Sequence, residues 1–116
     1  MNQKMNEIVK TIIDQLGGVG LLRLMLGTRQ VIFNDHGIHF DIHGCSKINR
    51  VQIDYDAGMD LYKMKFFHVS GHRASFNLIA KYDGVYADQL CDMIESETGL
   101  FLGPMRIQIA EQYASV

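Results

Sequence analysis

From residue 37 to residue 82 apolar and polar side chains alternate with a period of two, the pattern of strands that bury one face and wet the other. Four strands are predicted, at 37–43, 50–55, 61–68 and 73–82. In the first, Ile38, Phe40 and Ile42 share one face and His39, Asp41 and His43 the other, while in the second Val51, Ile53 and Tyr55 oppose Gln52, Asp54 and Asp56. Tyr62, Met64 and Phe66 then oppose Lys63 and Lys65, and Phe76, Leu78 and Ala80 oppose Asn77 and Lys81. Matching inward residues sets Ile38 against Tyr55, Phe40 against Ile53 and Ile42 against Val51, with 44–49 as the connecting loop. On the wet face that register pairs His39 with Asp54 and Asp41 with Gln52. For the later hairpin it pairs Tyr62 with Ala80, Met64 with Leu78 and Phe66 with Phe76 around Ser70-Gly71-His72, so that Lys65 faces Asn77.

The flanks change period. Met5, Ile8, Val9, Ile12, Ile13 and Leu16 recur at offsets of three and four, which predicts an amphipathic helix over 4–16 ended by Gly17-Gly18. Val19–Leu26 is almost continuously apolar and short, and reads as a buried strand. Gly27-Thr28-Arg29 turns the chain into a short strand at 30–33, and Asn34-Asp35-His36-Gly37 carries hairpin-turn residues. After Asp83-Gly84, helical spacing over 85–98 puts Tyr86, Leu90, Met93 and Ile94 on one stripe, with Gly99 as its cap. Residues 105–116 read equally as a strand through Met105, Ile107 and Ile109 or as a helix through Met105, Ile109 and Tyr113. The expected fold is therefore α+β. It has an N-terminal helix, an antiparallel sheet of about five or six strands in meander order, and a C-terminal helix, with both helices on the sheet's apolar face. Residues 1–103 form a single domain, and 104–116 a tail that packs on the domain or on a second subunit.

Composition narrows the class without naming a function. A chain of 116 residues buries enough surface to hold one core without staples. Two cysteines, Cys45 and Cys91, are too few for a disulfide framework and suit a cytoplasmic protein with reduced thiols. Glu7, Lys10, Asp14 and Arg23 interrupt the apolar N-terminal stretch, so no membrane span is expected. A net charge of -2 argues against a large basic surface for phosphate binding and against the strongly acidic surface of a nucleic-acid mimic.

No motif for catalysis or a cofactor stands out. His36, His39, Asp41, His43 and Cys45 are the one group of metal-capable side chains, but His39 and His43 lie about 13 Å apart on a regular strand and cannot share an ion. A polar outer face hydrogen-bonded to Asp54 or water accounts for them. Cys45 with His43 or His36 as base lacks any sign of an oxyanion hole. Gly17-Gly18-Val19-Gly20 follows a helix, whereas phosphate-binding glycines follow a strand. Lys63, Lys65, Lys81 and Arg73 on a sheet with Phe67 invite comparison with sheets that stack single-stranded bases, although Asp41, Asp54 and Asp56 dilute the charge. The same mixed face, an aromatic within a polar rim, suits protein binding. His39, Asp41, Asp54, Lys63, Lys65 and Phe67 are the contact residues expected.

Several segments resemble a group of small phage and prophage proteins of uncharacterised function: Ile12-Ile13-Asp14-Gln15-Leu16-Gly17-Gly18, Met25-Leu26-Gly27, Gly37-Ile38-His39-Phe40, Ile48-Asn49-Arg50-Val51-Gln52-Ile53, Asp60-Leu61-Tyr62, Gly84-Val85-Tyr86-Ala87-Asp88-Gln89-Leu90 and Thr98-Gly99-Leu100. The likeness spans roughly residues 8 to 101, and the chain continues through Val116, whereas such proteins usually stop soon after the Thr-Gly-Leu. It implies a genetic setting and brings no catalytic residue. By analogy it implies a non-enzymatic accessory protein, in its sharpest form an inhibitor of a host defence system of the anti-CRISPR kind, whose partner is a host protein or ribonucleoprotein complex. A nucleic-acid-binding accessory protein and a small metal- or thiol-dependent enzyme are the alternatives. A homodimer through the tail or an exposed edge strand is a further arrangement the reading admits.

Overall fold

The computed structural model describes residues 6–71 and 75–102, so His72, Arg73 and the tail at 104–116 lie outside the described residues. Two helices, α1 (Glu7–Leu16) and α2 (Val19–Leu26), precede five strands. These are β1 (Val31–Phe33), β2 (Gly37–Asp41), β3 (Arg50–Asp56), β4 (Leu61–Ser70) and β5 (Ser75–Val85). A 3-10 turn at Ala87–Gln89 leads into α3 (Leu90–Thr98). The strands follow one another in a single antiparallel meander, β1-β2-β3-β4-β5, and the class is α+β as expected.

The period-two pattern places the core. Ile38, Phe40, Val51, Ile53, Met64 and Phe66 are buried on the inner face, where they join Val9, Ile12 and Leu16 of α1, Leu22 and Leu26 of α2, and Leu90 and Ile94 of α3. The Asn6 side chain accepts from Val9 N at 2.9 Å to cap α1 and donates to the Asp35 carbonyl at 3.0 Å, tying the helix to the β1–β2 turn. At its other end Gly17, at φ 96°, lets Gly18 N reach the Ile13 carbonyl at 2.9 Å, a left-handed cap in the Schellman pattern. The Cys91 thiol donates to the Gln15 carbonyl at 3.3 Å, and the Tyr82 hydroxyl donates to Glu97, joining α3 to α1 and to β5.

Four expectations are corrected. Val19–Leu26 is a helix and not a strand, which leaves five strands. Its leucines, arginine and methionine favour helix, only Val19 is β-branched, and Leu22 and Leu26 meet the core one turn apart. The β2–β3 register is displaced by two residues, with Ile38 opposite Ile53 and Phe40 opposite Val51. Sliding by two keeps every face, so face matching could not fix it. Gly37 helps to fix it: a Cβ there would stand 2.0 Å from the Ile53 carbonyl oxygen, so only glycine lets the strands close at that point. The loop also keeps Ile42 and Ile48 in the core.

On the last hairpin, Met64 faces Tyr82 and Phe66 faces Ala80, but Phe67 then faces Leu78 and Val69 faces Phe76. Ile79 is the extra residue of a bulge, and beyond it β5 changes faces. Phe76 and Leu78, expected inside, are exposed on the outer side, and Lys65 faces Lys81 in place of Asn77. Finally, Tyr86 precedes the helix and is exposed; the buried stripe of α3 is Leu90, Cys91, Ile94 and Thr98.

Phe66 is fully buried where β4 meets the helical layer. Phe66→Ala is expected to cost about 3–5 kcal/mol in a denaturant titration; a loss well under 1 kcal/mol would mean that this layer is not the core.

Candidate functional site

The helices cover one face of the sheet, and the other face carries three cross-strand rows. Ile32, His39, Gln52, Lys65 and Lys81 stand in register across all five strands. Asp41, Arg50, Phe67 and Leu78 form a second row, and Gly37, Asp54 and Lys63 a third. All six contact residues named from the sequence lie on this face. The expected pairs His39–Asp54 and Asp41–Gln52 do not form: His39 sits opposite Gln52, and Asp41 opposite Arg50. Asp54 faces Lys63, and its carboxylate accepts from Gln52 Nε2 at 2.6 Å. Lys63 Nζ lies 3.9 Å from Asp56, a half-exposed pair worth little in water.

Part of the face is fixed from within. Asp41 ends β2 with its carboxylate turned to the chain after α2, where it accepts from Arg29 N at 3.1 Å and Gln30 N at 2.9 Å, and pairs with His43 Nε2 at 2.9 Å. Thr28 Oγ1 donates to the Asp41 carbonyl at 2.8 Å, closing the same junction. Partial burial opposes ionisation of Asp41, but the hydrogen bonds from Gln30, His43 and Arg29 outweigh it and hold the carboxyl below its usual range. The side chain chosen from the sequence as a contact residue is thus also a structural clamp.

Arg50, not among the contact residues expected from the sequence, sits between Asp41 and Phe67. Its Nη1 lies 2.9 Å from His39 Nδ1, so the neutral imidazole accepts from it, and its Nε is buried with no hydrogen-bond partner among the described residues. Burial first, then the Arg50 charge, lowers the His39 pKa against the opposing pull of Asp54.

The β4–β5 end is different. No ion pair to Lys65 or Lys81 occurs among the described residues. Phe67 packs edge-on against Phe76 with ring centroids 5.8 Å apart. The sequence carried one sign of this outward turn: Leu78-Ile79-Ala80 breaks the alternation, as a bulge residue must.

His36, His39, His43 and Cys45 do not converge. His39 is engaged by Arg50 and His43 by Asp41, and among the described residues no group of three His, Cys, Asp or Glu side chains is placed to hold a metal ion. No described helix is long and apolar enough to cross a membrane. No known family model matches the chain, and no curated protein or solved structure shows significant similarity to it.

Two outcomes follow from this geometry. Asp41→Ala is expected to lose about 1.5–3 kcal/mol at neutral pH, the usual worth of hydrogen bonds to a charged group, as read by chemical unfolding. Because the folded pKa is depressed, that contribution is present above the unfolded carboxyl pKa and fades as pH falls through the folded value, so wild type and variant should converge in acid. His39 is likewise lowered, so the unfolded chain takes up its proton first and stability falls as pH drops below about 6.5. His39→Gln should flatten the melting temperature between about pH 7 and pH 5; an unchanged slope would show that His39 is not responsible.

Proposed function

We propose that the protein is a non-enzymatic, phage-type accessory protein whose outer sheet face occludes a host protein or ribonucleoprotein complex, most sharply as an inhibitor of a host defence system of the anti-CRISPR kind. The observation that carries this reading is the uncovered face itself, where Phe67 stands exposed in part among Lys63, Lys65, His39, Asp41 and Asp54. An aromatic anchor within a polar rim is the arrangement that concentrates binding energy at protein interfaces. Fixed groups add to it. Asp41 and the His39–Arg50 pair are held by the fold before any partner arrives, so less side-chain freedom is lost on docking. The phage setting rests on the likeness of the sequence segments alone.

A second reading, nucleic-acid binding, draws on Lys65 standing opposite Lys81 beside the Phe67–Phe76 pair, a basic patch next to rings on which bases could stack. The overall charge of -2 weighs against it.

Host lysate passed over the immobilised protein, with Phe67→Ser and Lys65→Glu variants in parallel, separates the two. Protein capture that drops by about 2 kcal/mol, roughly thirty-fold in Kd, in Phe67→Ser supports the first reading. Capture indifferent to both substitutions removes this face from the function. Capture lost only with Lys65→Glu, abolished by nuclease and weakened steeply by salt, selects the second reading.

A further inference from the structure

We propose that two copies of the chain join edge to edge through β5, antiparallel about a two-fold axis at Asn77. β5 is the last strand of the meander, and among the described residues no strand pairs with its outer side. Much of that edge is guarded: Lys81 and Asp83 are charged and exposed, and register shifts flank Met64–Tyr82 and Phe66–Ala80. The stretch from Ser75 to Ile79 is not. All five of its residues are exposed, Phe76 by 56%, Leu78 by 51% and Ile79 by 48%. It contains no charge, proline or glycine, the composition that pairs most readily with another strand.

This arm is held out by the fold. β3 pairs with β4 only as far as Arg50 and Phe67, yet β4 runs on to Ser70. There the side chain of Asn49 takes the place of strand backbone, donating to the Val69 carbonyl at 2.9 Å and accepting from Val69 N at 2.7 Å. β4 is thereby braced on one side, and β5 presents the remaining edge.

The occupant that fits is a second copy. About a two-fold axis the central residue meets its own equivalent and its neighbours lie close by, so a charge at the centre would meet a like charge, and the segment has none. With the axis at Asn77, Phe76 opposes Leu78 of the other copy twice over, on the outer face where both are exposed. Asn77 opposes itself, and each amide offers a donor to the other's acceptor. Ser75 opposes Ile79, and pairing ends at the bulge. With the axis moved to Leu78, Phe76 would face Ala80 and the bulge would fall inside the ladder. The chosen register closes Phe67, Phe76 and Leu78 of both copies into one apolar cluster spanning the junction.

Sedimentation equilibrium of the full chain tests this. Wild type is expected at twice 13.2 kDa, and Leu78→Asp, which sets carboxylates near the axis without touching the core, at 13.2 kDa with the same far-UV circular dichroism and a melting temperature lowered only by the loss of the dimer. A wild-type monomer at every concentration, whether bare or with a foreign strand on the edge, overturns the proposal, as does a dimer that persists in Leu78→Asp. The axis is tested in a Cys45→Ser background. Asn77→Cys should cross-link under mild oxidation because opposed Cβ atoms lie about 5 Å apart. Lys81→Cys should not, since its copies would stand about 26 Å apart; cross-linking of Lys81→Cys in place of Asn77→Cys overturns the register.

Discussion

The structure depends on the burial of one sheet face, and one only, under a helical layer. Leu16, Leu22, Leu26, Leu90 and Ile94 come from three helices and meet the same set of strand residues, Phe40, Val51, Ile53, Met64 and Phe66. Each strand must therefore send alternate residues into that layer, and the residues between them are left to water. The polar character of the outer face follows from this. A hydrophobic outer face would have no helices left to cover it, and a sheet wet on both faces could not offset the entropy of ordering the chain.

That constraint explains how much of the molecule was legible in its sequence. Faces were readable wherever an inward residue differs from its neighbours, as with Ile38, His39, Phe40 and Asp41, and the six residues expected as contacts fall on the predicted side for that reason. Register was not, because a slide of two residues preserves all faces and its energy is set by particulars such as the missing Cβ of Gly37. Val19–Leu26 was unreadable by period because an apolar run satisfies every period; its lack of β-branched residues beyond Val19 held the answer. Long-range bonds were also hidden. Nothing local to Asp41 announces that its carboxylate will receive the backbone of Arg29 and Gln30, since that contact exists only once α2 has folded and carried the chain past the end of β2.

The outer face is consequently uneven. Toward β2 and β3 its polar groups are occupied with one another: His39 with Arg50, Gln52 with Asp54, Asp41 with the turn behind it. Toward β4 and β5 it offers Lys65 and Lys81, which form no ion pair among the described residues, and the exposed Phe76 beside Phe67. A partner meeting the first half finds fixed hydrogen-bonding geometry, which favours discrimination. The second half presents charge and apolar surface, the kind of groups that favour rapid encounter and burial at interfaces. The two halves adjoin through the row Asp41–Arg50–Phe67, so one docking event can use both.

Strand length sets the last feature. β2 has five residues and β4 ten, so the sheet outgrows the layer that covers it, and its far corner has no inner face to bury. A strand that kept strict alternation there would turn Phe76 and Leu78 toward the helix side, where at that corner His68, Asn77 and Ile79 line an open depression with Ser46 and Lys47 and no helical residue. The bulge at Ile79 turns them outward, beside Phe67. One inserted residue thus turns Phe76 and Leu78 to the side where Phe67 already stands, and in doing so limits the uncharged edge to the few residues before the charges at Lys81 and Asp83.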